Sequence, residues 1–397
     1  MKILHLCQYY MMGHTYQENY LPKSMAKLGH AVTVIAGTKN PDFYNGPARA
    51  EGETVQDGPV RVRYTEIQYK SLFTPVPNLY ALLEEEAPAL VFVHGFILTR
   101  CPQLKKWADA HPEVIFAADT HETWVLAFNA CFSNSFKDRV RRFVYFDCVY
   151  ACWRRYVEGR YKKVFYVTPP RKAYAMEAFG FSERILAPLW LGADFSTLPY
   201  ENKGALRVEK RRALGLDPEA RLIIHPGKLD LKKHTGELIS AFSRCLKEGL
   251  AKENWHLVLV GSLTPELEAQ ARAAAETTGR VHLTGLVSGE EVLNWIAAGD
   301  FAAYPGAHSV LWEQTAALGI PAIYYAPTPG DAEYLSDDSA LFVRKGDEEE
   351  VYAALSTLLF REKDLPEMGN RARARSEKQL DYDAQARDCL ALLTEEG

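Results

Sequence analysis

Short apolar runs recur along the whole chain, and a longer stretch with helical spacing of its apolar residues follows almost every one. This alternation is the signature of βαβ units, whose parallel strands are buried on both faces by the connecting helices. A first set of strands is expected at Ile3 to Cys7, Ala31 to Ala36, Val60 to Tyr64, Leu90 to His94, Val114 to Ala118 and Val164 to Val167. A second set is expected at Leu222 to His225, His256 to Val260, Val281 to Thr284, Phe301 to Tyr304, Ala322 to Tyr325 and Leu341 to Val343.

Between the sets lies an aperiodic stretch carrying Pro188, Gly192 and Pro199, which behaves as a hinge linker. The expected division is therefore a domain over 1–188, a linker over 189–202, a second domain over 203–378 and a terminal helix over 379–397 that packs on either domain. The fold class is α/β: two Rossmann-like, doubly wound parallel sheets facing across a cleft, with ligands at the carboxyl ends of the strands.

At 397 residues, the chain has core enough for two domains. A net charge of −5 argues against a whole-protein commitment to nucleic acid. The seven cysteines are scattered without a CxxC pair or zinc-like spacing, so they read as reduced thiols and no metal site is expected. The opening residues lack an export signal and no window is long and apolar enough to span a bilayer; the expected location is the cytoplasm, with peripheral membrane contact open.

The most informative stretch is His225-Pro226-Gly227-Lys228-Leu229-Asp230-Leu231-Lys232-Lys233-His234-Thr235, placed between a strand and a helix. Glycine lets the backbone approach a ligand, and lysines beside a helix start suit a diphosphate. On the residues alone, a solvated surface loop explains the stretch equally well. Gly227-Lys228-Leu229-Asp230 with Lys233 resembles the G-R-L-x-x-x-K-G loop of retaining GT-B glycosyltransferases, the family 4-like group 1 enzymes. The resemblance implies that Lys228 and Lys233 grip a donor diphosphate; Lys stands for the usual Arg, and His234 for the usual Gly.

Further segments fall in that family's order. Met1 to Leu6 with Leu28 to Val34 is similar to its first βαβ unit, and Leu257 to Gly261 to a following strand. Gly285-Leu286-Val287-Ser288 with Glu290-Glu291-Val292 resembles the segment whose backbone meets the donor base, which implicates Leu286 and Val287. The E-x7-E motif is expected in Tyr304 to Gln314 but is broken, because no acid precedes Glu313 or Gln314 at the required spacing. Glu313 is preferred over Gln314 for the donor ribose, since a carboxylate accepts both diol hydrogen bonds. His308 and Ser309 are then the donor-facing groups. The alternatives are a solvated helix residue for Glu313 and a helix-capping residue for His308.

On the acceptor side, Val93-His94-Gly95 and Ala118-Asp119-Thr120-His121-Glu122 put polar groups at strand ends. His121 and Asp119 are the candidate reaction-centre pair; the alternative is that they cap a helix starting near Thr123. The family resemblance gives such a histidine a positioning or hydrogen-bonding role. The first loop supplies Gly13, His14 and Tyr16, which together with His94 are the acceptor-binding candidates. Residues 131–163 hold nine Lys/Arg against three acids, a local balance of +6, interleaved with aromatic residues. This surface suits either an anionic membrane and a lipid-linked acceptor or a solvated helix pair.

The expected activity is transfer of a sugar from a nucleoside diphosphate sugar, UDP favoured, to a saccharide or lipid-linked acceptor in polysaccharide or glycoconjugate assembly. Retention of configuration follows from the resemblance, and no cofactor or metal is expected. Two rivals share the architecture: a non-hydrolysing sugar-nucleotide epimerase and a non-catalytic nucleotide-sugar-binding protein.

Overall fold

A computed structural model describes residues 1–13, 16–40, 46–70, 73–121, 135–336 and 338–395, with the side chains of 138, 141, 142 and 145–147 outside the description. The chain divides into two compact units, Met1–Leu191 together with Tyr382–Gly397, and Gly192–Asp381. The breaks fall after Leu191 and after Asp381. The first falls within 189–202.

The first unit is built on an eight-stranded sheet: β1 (Lys2–Cys7), β2 (Ala31–Gly37), β3 (Thr54–Asp57), β4 (Val60–Thr65), β5 (Leu90–Val93), β6 (Ile115–Thr120), β7 (Lys163–Tyr166) and β8 (Leu186–Pro188), in the order β3-β4-β2-β1-β5-β6-β7-β8. Pairing is parallel throughout except for β3, which runs antiparallel to β4 at one edge. Central strands are apolar on both faces because helices cover both; Leu4, Leu6, Val91 and Val93 pack on one side, and Ile3, Cys7, Leu90 and Phe92 on the other. The second layer is completed from the far end of the chain, where helix Tyr382–Thr394 contributes Ala386, Cys389, Leu390 and Leu393.

The second unit holds a six-stranded, wholly parallel sheet: β9 (Arg221–Pro226), β10 (Trp255–Val260), β11 (Val281–Gly285), β12 (Phe301–Tyr304), β13 (Ala322–Tyr325) and β14 (Ala340–Val343), in the order β11-β10-β9-β12-β13-β14. The order reverses direction between β9 and β12, so the loops after these two strands diverge from a switch point where such sheets bind ligands. Helix Thr235–Lys247 follows β9 and buries Leu238, Ile239, Ala241, Phe242 and Cys245, the one-sided stripe that its apolar spacing predicts.

Two strands were not anticipated. β3 has the polar sequence Thr-Val-Gln-Asp and an edge position with one partner, so it lacks the apolar run that marks a buried strand. β8 comprises only three residues at the opposite edge, and its Pro188 is tolerated because an edge strand leaves one side unpaired.

Candidate active site

In the second unit, the loops after β9 and β12 are fastened together. Ala307 N–H donates to the Lys232 carbonyl at 2.7 Å, and the Lys233 ammonium donates to the carbonyls of Ala307 and, at 3.4 Å, His308. Gly306 is required at this seam, since a Cβ there would lie 2.4 Å from the Lys232 oxygen. Asp230 shapes the lysine-bearing loop by accepting from Lys233 N–H at 3.2 Å. Burial draws the Lys233 ammonium down to about 8, against the raising influence of Asp230. Lys228, by contrast, is exposed.

Behind this loop, His225 ties three elements together. Its Nδ1 lies 2.7 Å from the Ala303 carbonyl on β12, and its Nε2 lies 2.9 Å from Thr235 Oγ1 at the start of helix Thr235–Lys247. A carbonyl only accepts, so Nδ1 carries the hydrogen and Nε2 accepts from the threonine hydroxyl. Burial lowers this imidazole to about 4, which keeps it neutral in that role.

Glu313 is fully buried in the short helix Leu311–Ala317. Its Oε1 accepts from Tyr334 OH and lies 2.9 Å from His308 Nε2, while Oε2 is buried and meets no partner among the described residues. The carboxyl group is thus held on one oxygen and open on the other. This is no solvated helix residue. Nor does His308 cap the helix: the N-cap position is Val310, and the His308 ring stands edge-on to Trp312 with centroids 4.8 Å apart. Ser309 and Val287 are half-buried, Leu286 is exposed, and Gln314 is buried.

In the first unit, three adjacent strands bring four polar residues into a chain. His5 of β1 has its Nδ1 3.0 Å from His94 Nε2; His94 Nδ1 is 2.6 Å from Asp119 Oδ2; and Asp119 Oδ1 is 3.4 Å from His121 Nε2 while accepting from Gly95 N–H at 2.7 Å. Burial pushes the Asp119 carboxyl up, but His94 and His121 outweigh it and hold the group well below the usual carboxylate range. Burial lowers His121, yet the Asp119 charge beside it prevails and lifts the imidazole to about 9. His121 and His94 line a cavity of about 340 Å³ with Gln8, Tyr9, Tyr16 and Glu18.

The ligand atoms of His94, Asp119 and His121 lie within 4.8 Å of one another, as a metal site would require. The 2.6 Å spacing between His94 and Asp119, however, is a hydrogen-bond length, shorter than the roughly 3.3 Å between two ligands of a tetrahedral ion at ordinary bond lengths.

Residues 207–375, nearly the whole second unit, match the family described as Glycosyl transferases group 1. That unit is similar to the group, and the chain as a whole has the GT-B fold. Solved structures agree on the fold. Sucrose-phosphate synthase from Thermosynechococcus elongatus is 16% identical with a TM-score of 0.69, covering 99% of this chain and 98% of its own. A glycosyltransferase from Rickettsia africae ESF-5 is 15% identical with a TM-score of 0.70, covering 100% and 99%. Anabaena Alr3699/HepE in complex with UDP is 15% identical with a TM-score of 0.66, covering 99% and 100%. No curated protein matches the sequence.

Within this chain, the structure brings together Gly227, Lys233, His308, Ser309 and Glu313 in one unit, and Tyr16, His94, Asp119 and His121 in the other. Gly13 adopts a positive φ of 78° in the loop leading to Tyr16. His14, the helix start expected near Thr123 and residues 131–134 lie outside the described residues. Sequence reasoning missed His5, Glu18 and Tyr334. A histidine inside the otherwise apolar run Ile3 to Cys7 was the available signal for His5; nothing local marks Tyr334, which reaches Glu313 from 21 residues away.

Proposed function

We propose that this glycosyltransferase takes its sugar from a nucleoside diphosphate donor, UDP favoured, held by the second unit, and passes it with retention to a hydroxyl of a saccharide or lipid-linked acceptor held by the first. The pathway is polysaccharide or glycoconjugate assembly. The observation that carries this reading is the buried Glu313 carboxyl, anchored through Oε1 by His308 and Tyr334 with Oε2 open, beside the fastened lysine loop. A lone buried carboxyl oxygen suits a ribose hydroxyl. Lys228 and Lys233 supply positive charge for the leaving diphosphate, so the reaction is expected to run without a metal. A UDP complex of Alr3699/HepE, which shares the fold, supports the choice of nucleotide.

The test is a thermal shift with UDP, GDP and their sugar conjugates on the native protein, Lys228→Ala and Lys228→Ala/Lys233→Ala. Stabilisation by one diphosphate, lost on substitution, supports the donor site and names the base. No shift with any nucleotide overturns it. Epimerised nucleotide sugar formed without acceptor would instead favour an epimerase, and donor binding without turnover a binding protein.

Membrane contact is part of the same proposal, supported by the helical segment over Phe136–Tyr150. Phe136, Val140, Phe143 and Val144 follow the spacing i, i+4, i+7, i+8 and are exposed by 80%, 47%, 58% and 46%, with exposed Lys137 and Arg139 beside them. An apolar stripe flanked by cations fits the surface of an anionic bilayer. Among the described residues no helix is long and apolar enough to cross one. Cosedimentation with anionic but not neutral vesicles, abolished by Phe136→Asp/Phe143→Asp, is the expected result; equal sedimentation with both would remove the membrane from the proposal.

A further inference from the structure

His5 is a fully buried residue in the central strand of the first unit, in van der Waals company rather than at the cavity surface. Its ring stacks on Phe92 at 5.4 Å and on His94 at 5.2 Å, and its Nε2 meets no hydrogen-bond partner among the described residues. Burying an imidazole in a strand that otherwise reads Ile-Leu-x-Leu-Cys costs free energy, so its single contact, Nδ1 to His94 Nε2 at 3.0 Å, must be accounted for.

The hydrogens along the chain can be assigned by elimination. Asp119 is a carboxylate and only accepts, so His94 Nδ1 carries a hydrogen. One hydrogen then lies between His94 and His5. Placing it on His94 would make that ring a cation at 3% exposure, a second imidazolium sharing one carboxylate with His121. It would also force the His5 hydrogen onto Nε2, a buried N–H with no acceptor among the described residues. Placing it on His5 Nδ1 buries no extra charge and leaves only a bare ring nitrogen. Burying a further charge costs several kcal/mol and orphaning a donor roughly 1–3 kcal/mol, so the second arrangement wins.

We propose that His5 is a positioning residue: by donating Nδ1–H to His94 Nε2 it fixes His94 as the neutral Nδ1–H tautomer, leaving His121 as the single imidazolium paired with Asp119 at the cavity. The other groups facing this chain are Glu18 from helix Gln17–Lys27, Arg171 from helix Pro169–Glu177, Cys7 on β1 and Cys389 on the C-terminal helix. Glu18 reinforces the His121 cation and Arg171 opposes it; neither reaches the buried His5–His94 contact. A protonated His121 cannot take a proton, so it serves the bound hydroxyl or anionic oxygen as a hydrogen-bond donor. The assignment gives a role inside the proposed acceptor site, yet its physical content does not depend on turnover.

Imidazole nitrogen NMR on the full chain at neutral pH, without ligand, tests it. The native protein should show His94 with hydrogen on Nδ1 and a bare Nε2. His5→Phe keeps a ring against Phe92 and removes the donor; His94 Nε2 should then lose the hydrogen bond it accepts and move to the signal of an unbonded ring nitrogen, while Nδ1 keeps its hydrogen on Asp119. His5→Asn, which offers an amide N–H near the Nδ1 position, should restore the native pattern. In donor-dependent turnover, the pH profile should move with His5→Phe while the donor KM stays constant. A hydrogen on His94 Nε2 in the native protein overturns the proposal. So does a folded His5→Phe with unchanged nitrogen signals, or a His5→Asn that fails to restore them.

Discussion

His94 Nδ1 and Asp119 Oδ2 lie 2.6 Å apart in the first unit, both almost wholly buried, and on the far side of the same carboxylate stands the half-exposed His121. Asp119 therefore holds its two imidazoles from opposite oxygens. Asp119→Asn keeps the shape and removes the charge, so burial, the largest influence left beside Glu18 and Arg171, should carry His121 from about 9 to below its ordinary value. An NMR titration reads the change directly, and turnover should fall by roughly a hundredfold at neutral pH.

His225 gives the second unit a pH-dependent stability. Its folded-state value, near 4, is below the unfolded one, so the unfolded chain binds more protons between them. The sign follows: stability is complete above about pH 6.5 and falls as pH drops toward 4, by on the order of 3 kcal/mol. Urea unfolding at pH 7 and pH 4.5 should show this slope, and His225→Gln should flatten it.

Glu313 and Lys228 should separate by ligand. Glu313→Gln should weaken UDP by about tenfold or more while leaving pyrophosphate binding unchanged, because only UDP brings a ribose. Lys228→Ala should weaken both. Calorimetric titration of each variant with each ligand distinguishes the two outcomes, and equal loss of both ligands in Glu313→Gln would count against its ribose role.

Gly261 and Gly227 meet backbone to backbone where β10 and β9 end. A Cβ on Gly261 would lie 1.9 Å from the Gly227 oxygen, and its φ of 133° is one that other residues rarely adopt. Gly261→Ala should cost about 3 kcal/mol or more and lower the melting temperature by several degrees. Gly204→Ala, in open space on helix Lys203–Ala213, should instead be neutral or stabilise by up to about 1 kcal/mol.

The strands legible in the sequence were those with a marked apolar run; in the second unit β9, β10, β12 and β13 are buried on both faces, and the edge strands β11 and β14 keep apolar residues though only partly buried. β3 and β8 escaped because edge strands need neither length nor apolarity. Candidate residues at strand ends, such as His94, Asp119 and Gly227, stand out in the sequence because the architecture itself points to those positions. What the sequence withheld was pairing. His308 turns onto Glu313 rather than standing free, and Lys233 is engaged with carbonyls while Lys228 remains exposed. The Lys233 contacts join the loops after β9 and β12, more than 70 residues apart, which no local pattern encodes; His308 and Glu313 are only five residues apart, but their pairing is set by how the loop enters the helix.

Helix Tyr382–Thr394 belongs to the first unit although almost two hundred residues of the second intervene. During synthesis, the apolar surface of Ile3, Cys7, Leu90 and Phe92 must wait until the whole second unit has been made for Ala386, Cys389, Leu390 and Leu393 to cover it. The Gly192–Asp381 unit, continuous in sequence, meets no such delay and can finish folding on the ribosome first. In a nascent chain of this protein, the continuous unit is thus closed before the interrupted one.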